Sequence, residues 1–249
     1  MLNIILCGCG GRMGAAVAAA AAAAGDRIVA GVDVNPTAAT TYPVFQSPEE
    51  FEGHADVMID FSHHSALPAL LAYATSTGTP LVIATTGHTE EEMAQMRKAA
   101  ESVPIFFSRN MSLGINLLIS LCRRAAATLG ADFDIEIIEK HHNKKLDAPS
   151  GTALMIADAL SEGEEHPYVY DRHAERRARV RGEIGLHAVR GGTIVGEHEV
   201  MFCGKDEIVT LSHSAASREV FATGALRAAN FLVGKGAGFY NMDDVVNSL

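Results

Sequence analysis

The chain has 249 residues, of which 48% are apolar and 20% are charged, and its formal net charge at pH 7 is −10. A chain of this size and composition is expected to fold as a soluble globular protein with one large domain or two moderate ones. The acidic balance argues against nonspecific binding to nucleic acid or to an anionic membrane, so a small ligand is the more natural partner.

The first predicted elements are a short strand, a glycine-rich turn and an alanine-rich helix. The strand covers residues 3–6, and the turn contains Gly8, Gly11 and Gly14 in a G-x-x-G-x-x-G spacing. Strand, turn and helix in this order form the context that dinucleotide binding requires. Glycines let the backbone approach a pyrophosphate, and the helix N-terminus contributes a positive dipole. Met13 replaces the third glycine of the common G-x-G-x-x-G pattern.

The second predicted strand, residues 27–33, ends in the carboxylate of Asp33. An acid at this strand end can bind the adenosine ribose; a solvated strand-end Asp is the alternative, and the glycine turn favours ribose binding. Val34 occupies the place where a reader of the 2′-phosphate would often have Arg, and Arg12 is the one cation nearby. We therefore expect NADH, or dual use of NADH and NADPH.

Strands and helices continue to alternate along the first half of the chain. Strands are predicted at residues 56–61, 81–85 and 103–107, with helices at 65–77 and after Thr89. This alternation predicts a doubly wound parallel sheet, a Rossmann-like fold. Ligands bind beyond the carboxyl ends of such strands. The residues at those ends, which predict a cofactor groove, are Phe61, Thr85, Thr86, Gly87, Ser108, Arg109, Asn110 and Met111.

The second half has a different pattern. A helix at 114–129 leads to a strand at 134–139, and three further strands at 184–190, 193–202 and 208–213 are separated by turn residues. Hairpins in a mixed or antiparallel sheet are expected. A final helix at 218–233 is expected to pack back on the first domain. The predicted domains are a dinucleotide-binding domain at 1–111, completed by 218–249, and a smaller α/β domain at 112–217.

Residues 139–153 carry the strongest functional signal. His141 and His142 can exchange protons near neutral pH, and Lys144 and Lys145 follow closely. The run Pro149-Ser150-Gly151-Thr152 then opens an apolar helix, whose N-terminus would hold a carboxylate or phosphate. A basic surface loop before a capped helix is the alternative for any one of these residues. Their combination favours an active site with a proton donor beside an anion-binding helix end.

Cysteine and histidine spacing predicts neither disulfides nor a metal site. Cys7, Cys9, Cys122 and Cys203 form no CxxC pair, which indicates a reduced, cytoplasmic protein. The scattered histidines show no HxxxH or HxH spacing. The alanine-rich residues 15–24 are too short to span a bilayer and lack the features of a signal peptide.

Together these segments resemble the 4-hydroxy-tetrahydrodipicolinate reductase (dihydrodipicolinate reductase) family. The likeness covers nearly the whole chain in the right order. It is carried by residues 8–14, 84–87, 110–116, 141–153 and 190–198. The resemblance implies NAD(P)H-dependent reduction of 4-hydroxy-tetrahydrodipicolinate in the diaminopimelate route to lysine. It also implies a cytoplasmic homotetramer whose second domain binds the dicarboxylate substrate and builds the oligomer.

The resemblance also implies residue roles. His141 would act as proton donor and acceptor, Lys145 as proton donor, and His142, Gly151 and Thr152 would hold the substrate; Ser150 would help to orient it. The residues that would contact the cofactor are Gly8, Cys9, Gly10, Gly11, Arg12, Met13, Asp33, Ala84, Thr85, Thr86, Ser108, Arg109, Asn110 and Met111. The absence of a cation at Val34 departs from the family and weakens the expectation of NADPH preference.

Two other functions fit parts of the sequence. Another nicotinamide-dependent reductase of a small acid would keep the fold and change the substrate. A nucleotide-sensing regulator with a Rossmann domain would need a DNA-binding module or a basic face, and the sequence offers neither. Such a regulator would also not require His141 and Lys145.

Overall fold

A computed structural model describes residues 1–35, 40–161, 166–174 and 176–248. The strands are β1 (Asn3–Cys7), β2 (Arg27–Val32), β3 (Val44–Phe45), β4 (Val57–Asp60), β5 (Leu81–Ile83), β6 (Pro104–Phe107), β7 (Asp134–His141), β8 (Tyr168–Val169), β9 (Ile184–Arg190), β10 (Gly196–Cys203), β11 (Ile208–Ala215) and β12 (Gly238–Tyr240). The helices are α1 (Arg12–Ala24), α2 (Leu67–Thr77), α3 (Glu90–Ala99), α4 (Leu113–Leu129), α5 (Gly151–Leu160), α6 (Glu219–Leu232) and α7 (Met242–Asn247). The chain forms two compact units, one of Met1–Leu113 with Arg218–Leu249 and one of Gly114–Ser217.

The first unit is built on a seven-stranded sheet in the order β12-β6-β5-β4-β1-β2-β3. Every pair of neighbouring strands in it is parallel. One core cluster joins α1 and α6 to the sheet, and another joins α2 and α3 to it. Because helices cover both faces, β4 and β5 are buried along their whole length and read as continuous apolar runs. The predicted doubly wound parallel sheet is confirmed.

The second unit contains a five-stranded mixed sheet in the order β11-β10-β7-β9-β8. The central strand β7 pairs antiparallel with β10 and parallel with β9. Helices α4 and α5 pack their apolar side chains against one face, where Ile137, Val200 and Phe202 are fully buried. Among the described residues of this unit, no helix packs against the opposite face of the sheet. The predicted mixed sheet is therefore also confirmed.

Several boundaries differ from the sequence predictions. Strand β10 begins at Gly196 rather than at residue 193, and β7 continues through His141 instead of ending at residue 139. The short strands β3, β8 and β12 and the terminal helix α7 were not predicted. Strand β12 extends the first sheet by pairing with β6. No helix among the described residues is long and apolar enough to cross a membrane.

Candidate active site

The glycine turn of the first unit is held in a conformation that only glycine accepts easily. Gly8 has φ 74°, and its N–H donates to the Val32 carbonyl at 2.8 Å, which fixes the turn to the end of β2. A Cβ at Gly14 would collide with the Gly8 carbonyl oxygen and lie 2.6 Å from Cys9 Cα. The turn and the first turn of α1 are thus pressed backbone against backbone.

The N-terminus of α1 can accept an anion. Its N-cap, Gly11, forms no side-chain capping hydrogen bond, and the first turn contains no acidic residue. The N–H groups and the positive dipole end therefore meet no competing carboxylate from the helix itself. Arg12, the first residue of the helix, is exposed, and Met13 is half-buried. This arrangement fits the pyrophosphate of a dinucleotide.

Asp33 lies directly beside this turn. Its Oδ2 accepts a hydrogen bond from the Gly10 N–H at 3.0 Å, and its Oδ1 accepts one from the Asn35 N–H at 3.0 Å. These bonds orient the carboxylate while each oxygen keeps a lone pair for a ribose hydroxyl. Val34 is 80% exposed and offers no charge there. The Cys9 thiol is buried, and burial raises its pKa, so the backbone of Cys9 is the part that can approach a cofactor.

The predicted groove residues divide into buried and accessible ones. Ala84, Thr85, Ser108, Asn110 and Met111 are buried, whereas Thr86 and Arg109 are exposed. The Thr85 hydroxyl donates to the carboxylate of Asp60 at 2.7 Å, and the Ser108 hydroxyl donates to the Asn110 carbonyl at 2.7 Å. The buried hydroxyls of Thr85 and Ser108 hold the backbone that follows β5 and β6 in place. The side chains of Thr86 and Arg109 lie on the surface at this edge of the sheet.

Asp60 is a buried acid of this edge that the sequence analysis did not identify. Burial raises its pKa, and hydrogen bonds from Ser62 and Thr85 act against that rise. Its position as the last residue of β4 was the available signal, because polar residues at strand ends were the basis for predicting the groove.

In the second unit, His141 is the last residue of β7 and is buried. Its Nδ1 lies 2.6 Å from Oε2 of Glu139, two residues earlier on the same face of the strand. Its carbonyl accepts a hydrogen bond from the Gly191 N–H at 2.9 Å. A Cβ at Gly196 would lie 3.1 Å from His141 Nε2, so the glycine there leaves room beside that nitrogen. The ring is therefore held from its Nδ1 side.

Lys145 follows in the loop after β7. Its N–H donates to the His142 carbonyl at 3.1 Å, and its ammonium lies 2.8 Å from Asp147 Oδ2. The hydrogen bond from the Lys145 ammonium lowers the pKa of Asp147. The Lys145 side chain is 20% exposed, whereas Lys144 is exposed and His142 is half-buried. Of the two lysines, Lys145 is the one that the loop holds in place.

Ser150 caps α5 and uses its polar atoms within the protein. Its Oγ accepts from the Ala153 N–H at 3.1 Å and lies 3.1 Å from His198 Nε2, while its N–H donates to Glu139 Oε1 at 3.0 Å. The backbone N–H groups of Gly151 and Thr152 begin the helix next to it. Ser150 thereby sets the position of the backbone N–H groups that begin α5, and a helix end of this kind can accept an anion.

Two charged residues of this cluster, Glu139 and Arg190, were not predicted from the sequence. Arg190 donates to both oxygens of Glu139, at 2.7 and 2.6 Å, and to the Asp147 carbonyl at 2.7 Å. The available signal was period two along β7, which places Glu139 and His141 on one face. His198 packs edge-on against His141 with ring centroids 5.3 Å apart.

His198 should make folding stability depend on pH. Burial, followed by the proximity of His141, lowers its pKa from the ordinary 6.5 to about 4. Between those pH values the unfolded chain binds a proton that the folded chain does not, so stability is lost as pH falls from 6.5 toward 4. Urea titrations should show that His198 contributes a loss of about 2 kcal/mol between pH 7 and pH 5.

The His198→Gln variant removes this titration and keeps a polar group near Ser150. Its free energy of unfolding should fall less than that of the native chain between the two pH values. His173→Gln, which replaces an exposed histidine, is the matched control and should behave as the native chain does. Equal pH dependence in the native chain and His198→Gln would contradict the assignment.

Comparison with known proteins covers the whole chain. A family model described as "Dihydrodipicolinate reductase, N-terminus" matches residues 2–111, and one described as "Dihydrodipicolinate reductase, C-terminus" matches residues 114–246. A 4-hydroxy-tetrahydrodipicolinate reductase of Caldanaerobacter subterraneus subsp. tengcongensis is 53% identical over 249 residues, covering 99% of this chain and 98% of the relative. One of Clostridium tetani is 46% identical, covering 100% of this chain and 98% of the relative.

Among solved structures, a dipicolinate-bound dihydrodipicolinate reductase from Paenisporosarcina sp. TG-14 is similar to this chain with a TM-score of 0.82. It is 25% identical in sequence, and the match covers 98% of this chain and 99% of that one. The likeness therefore extends over both units.

Proposed function

The chain belongs to the dihydrodipicolinate reductase family, and from that membership we infer that it reduces 4-hydroxy-tetrahydrodipicolinate to tetrahydrodipicolinate with a nicotinamide cofactor. This reaction lies in the diaminopimelate route to lysine. The observation that carries the assignment of the site is the short segment 141–152 of the second unit. It contains two proton donors and the N-terminus of α5.

The reaction replaces the substrate's 4-hydroxyl with hydrogen. One hydride and one proton enter, and the hydroxyl leaves as water, so the protein must supply a proton and hold two carboxylates. We propose that the N–H groups of Gly151 and Thr152, together with His142, bind a substrate carboxylate. His141, through Nε2, would donate and accept the proton, and Lys145, through Nζ, would donate one.

Lys145 is suited to respond to the substrate. Its ammonium is paired with Asp147, whose side chain is mostly exposed. A dicarboxylate on which negative charge develops during reduction competes with Asp147 for the same ammonium. The cation would then be attracted most strongly when the charge on the substrate is greatest, which is the requirement for catalysis.

The first unit supplies the cofactor site. A reduced nicotinamide, when bound, provides the hydride. The glycine turn, the uncapped N-terminus of α1 and the oriented carboxylate of Asp33 fit a dinucleotide. The turn requires glycine at position 14, because a Cβ there would collide with the backbone of Gly8 and Cys9. We propose that the contacts come from the backbone of residues 8–13 and from Asp33. The predicted strand-end residues 84–86 and 108–111 would complete the groove.

We propose that NADH is used at least as well as NADPH. The negative charge of Asp33 faces the ribose position, and exposed Val34 offers no cation to a 2′-phosphate. Val34→Arg should therefore raise kcat/KM for NADPH about tenfold relative to NADH, because a charge-assisted hydrogen bond contributes about 1.5 kcal/mol or more.

Steady-state kinetics with both cofactors would measure this ratio. Val233→Arg adds the same charge at another exposed valine of the first unit and should leave the ratio unchanged. An unchanged ratio in Val34→Arg would place the 2′-position of the cofactor elsewhere.

Turnover tests the proposed function. The freshly made condensation product of pyruvate and aspartate semialdehyde is mixed with the purified protein, and consumption of NADH and NADPH is followed separately. Rapid consumption with either cofactor supports the reductase. Tight nucleotide binding without consumption would favour a nucleotide sensor, and consumption only with another small acid would favour a different reductase.

We further propose a homotetramer and a cytoplasmic location. The face of the mixed sheet opposite α4 and α5 carries partly exposed apolar side chains, among them Ile138 and Met201, which a second copy could cover. Light scattering should give about four times the mass of one chain; a monomer would contradict this.

The proposed cytoplasmic location agrees with the cysteines, all four of which are free. Disulfides in the protein isolated from its own cells would contradict the location.

A further inference from the structure

Glu139 is the most completely buried acid of the second unit among the described residues, with no exposed surface. Its Oε2 is 2.6 Å from His141 Nδ1 and 2.7 Å from one Arg190 nitrogen. Its Oε1 accepts from the Ser150 N–H at 3.0 Å and from the other Arg190 nitrogen at 2.6 Å. Each carboxylate oxygen thus holds a different part of the proposed substrate site, and Arg190 bridges both.

Stability alone is a poor reason for this arrangement. Taking a carboxylate and a guanidinium out of water costs several kcal/mol, and well-packed apolar residues often serve a core better. The opposite face of the same strand already places an acid, Glu136, in contact with arginines nearer the surface. The pair of buried Glu139 and half-buried Arg190 instead lies where the proton donor and the proposed anion-binding helix end meet.

We propose that Glu139 is a positioning residue that holds His141 with its proton on Nδ1 and Nε2 toward the substrate, and that fixes the N-terminus of α5 through Ser150. The proposal rests on the proposed function of this site. It assigns one carboxylate to both halves of the task, proton supply and carboxylate binding. Arg190 keeps the carboxylate ionised and ties it to the loop that carries Lys145 through the Asp147 carbonyl.

The charges around His141 give this proposal a measurable consequence. Besides Glu139 on β7, His141 packs against His198 on β10, and Arg190 on β9 donates to the same Glu139 oxygen. Lys145 in the loop and His213 on β11 act electrostatically on His198, and Asp147 pairs with Lys145.

Burial alone would raise the pKa of Glu139, but hydrogen bonds from Arg190 and His141 outweigh it and lower the pKa, so the carboxylate is charged at neutral pH. His198 is neutral there, because burial lowers its pKa to about 4. Removing the Glu139 charge would leave the Arg190 guanidinium beside the imidazole without its partner, and a positive charge on the ring would be disfavoured there.

Glu139→Gln tests this directly, because it keeps the size and one acceptor oxygen but removes the charge. We expect kcat to fall about 10- to 100-fold. We also expect the decline of kcat/KM at high pH to begin about one pH unit lower than in the native enzyme. Glu139→Asp, which retains the charge, should restore part of kcat and most of the native pH profile.

Glu136→Gln is the matched control, since Glu136 also pairs with a histidine, His187, at 2.7 Å and with arginines, on the opposite face of β7. Its pH profile should equal the native one. If Glu139→Gln folds and shows native kcat and a native pH profile, the proposal is overturned while the reductase function stands.

If Glu139→Gln does not fold, a measurement on the native enzyme still tests the proposal. Long-range proton–nitrogen NMR of ¹⁵N-histidine-labelled protein, with the His141 signals assigned through His141→Gln, reports which ring nitrogen bears the proton at a pH where the ring is neutral. A proton on Nδ1 is expected, and a proton on Nε2 would overturn the proposal. Because this readout requires no turnover, it stays informative even if the native chain fails to reduce the substrate.

Discussion

Replacing Lys145 with alanine should lower kcat for reduction of 4-hydroxy-tetrahydrodipicolinate by about 10²- to 10⁴-fold, the range that a positioned proton donor contributes. NADH affinity should remain native, because Lys145 belongs to the second unit and the glycine turn to the first. Steady-state kinetics would give kcat, and quenching or enhancement of NADH fluorescence would give the dissociation constant. Loss of turnover with retained nucleotide binding is the expected combination.

Lys144→Ala is the matched control for this variant. The two lysines are adjacent, but Lys144 is exposed, whereas the Lys145 ammonium is held 2.8 Å from Asp147. Lys144→Ala should keep kcat within about twofold of the native value, since surface substitutions rarely perturb structure. If both variants lose activity equally, the effect is a general charge effect of the loop. Native turnover in Lys145→Ala would remove Lys145 from the chemistry.

Replacing Gly14 with alanine should weaken binding of NADH by about 100-fold. The new methyl group would collide with the Gly8 carbonyl and with the Cys9 backbone, so the glycine turn must move away from α1. Overpacking of this kind costs up to about 3 kcal/mol, which corresponds to that loss of affinity if the turn is displaced on binding. Alanine is the better helix former by about 1 kcal/mol, so α1 itself should persist.

Gly236→Ala is the control for Gly14→Ala, because a Cβ at Gly236 meets no atom within 4 Å and lies in the same unit. It should bind NADH as the native chain does. Circular dichroism and the melting temperature would show whether Gly14→Ala remains folded. A folded Gly14→Ala protein with native NADH affinity would contradict the assignment of this turn to the cofactor.

The sequence predicted the first unit well because its signals are local. Apolar runs bounded by turn residues mark buried parallel strands, and a glycine turn between strand and helix marks the nucleotide end of such a sheet. Asp33 could be assigned to that turn from strand order alone, and the structure places it within hydrogen-bonding distance of Gly10.

The inner part of the candidate site depends on register, which the sequence did not reveal. Glu139 meets Arg190 because β7 and β9 are parallel neighbours, with His141 opposite Arg190, and it meets His198 across the antiparallel pairing with β10. Glu139 is 51 positions from Arg190 and 59 positions from His198 in the chain. A single sequence offers no local pattern that joins them, so Glu139 read only as a strand residue.

The missed edge elements have another cause. Strands β3 and β8 are two residues long and β12 is three, too short to show an alternation of apolar and polar residues. They are added at sheet edges by tertiary pairing rather than by local preference. Ser150 was predicted only in part. The sequence indicated its place at the start of α5, but it did not show that its hydroxyl contacts His198 and that its N–H donates to Glu139.

Transfer of isotope is the most direct test of the central claim, that this chain delivers hydride from a nicotinamide to the ring carbon that bears the substrate's hydroxyl. The protein would be incubated with freshly made substrate and with NADH deuterated at the transferring position, and the product analysed by mass spectrometry and NMR. The account predicts tetrahydrodipicolinate with one deuterium at that carbon and an equal amount of oxidised cofactor. Cofactor oxidation without deuterium in the product, or no product at all, would contradict it.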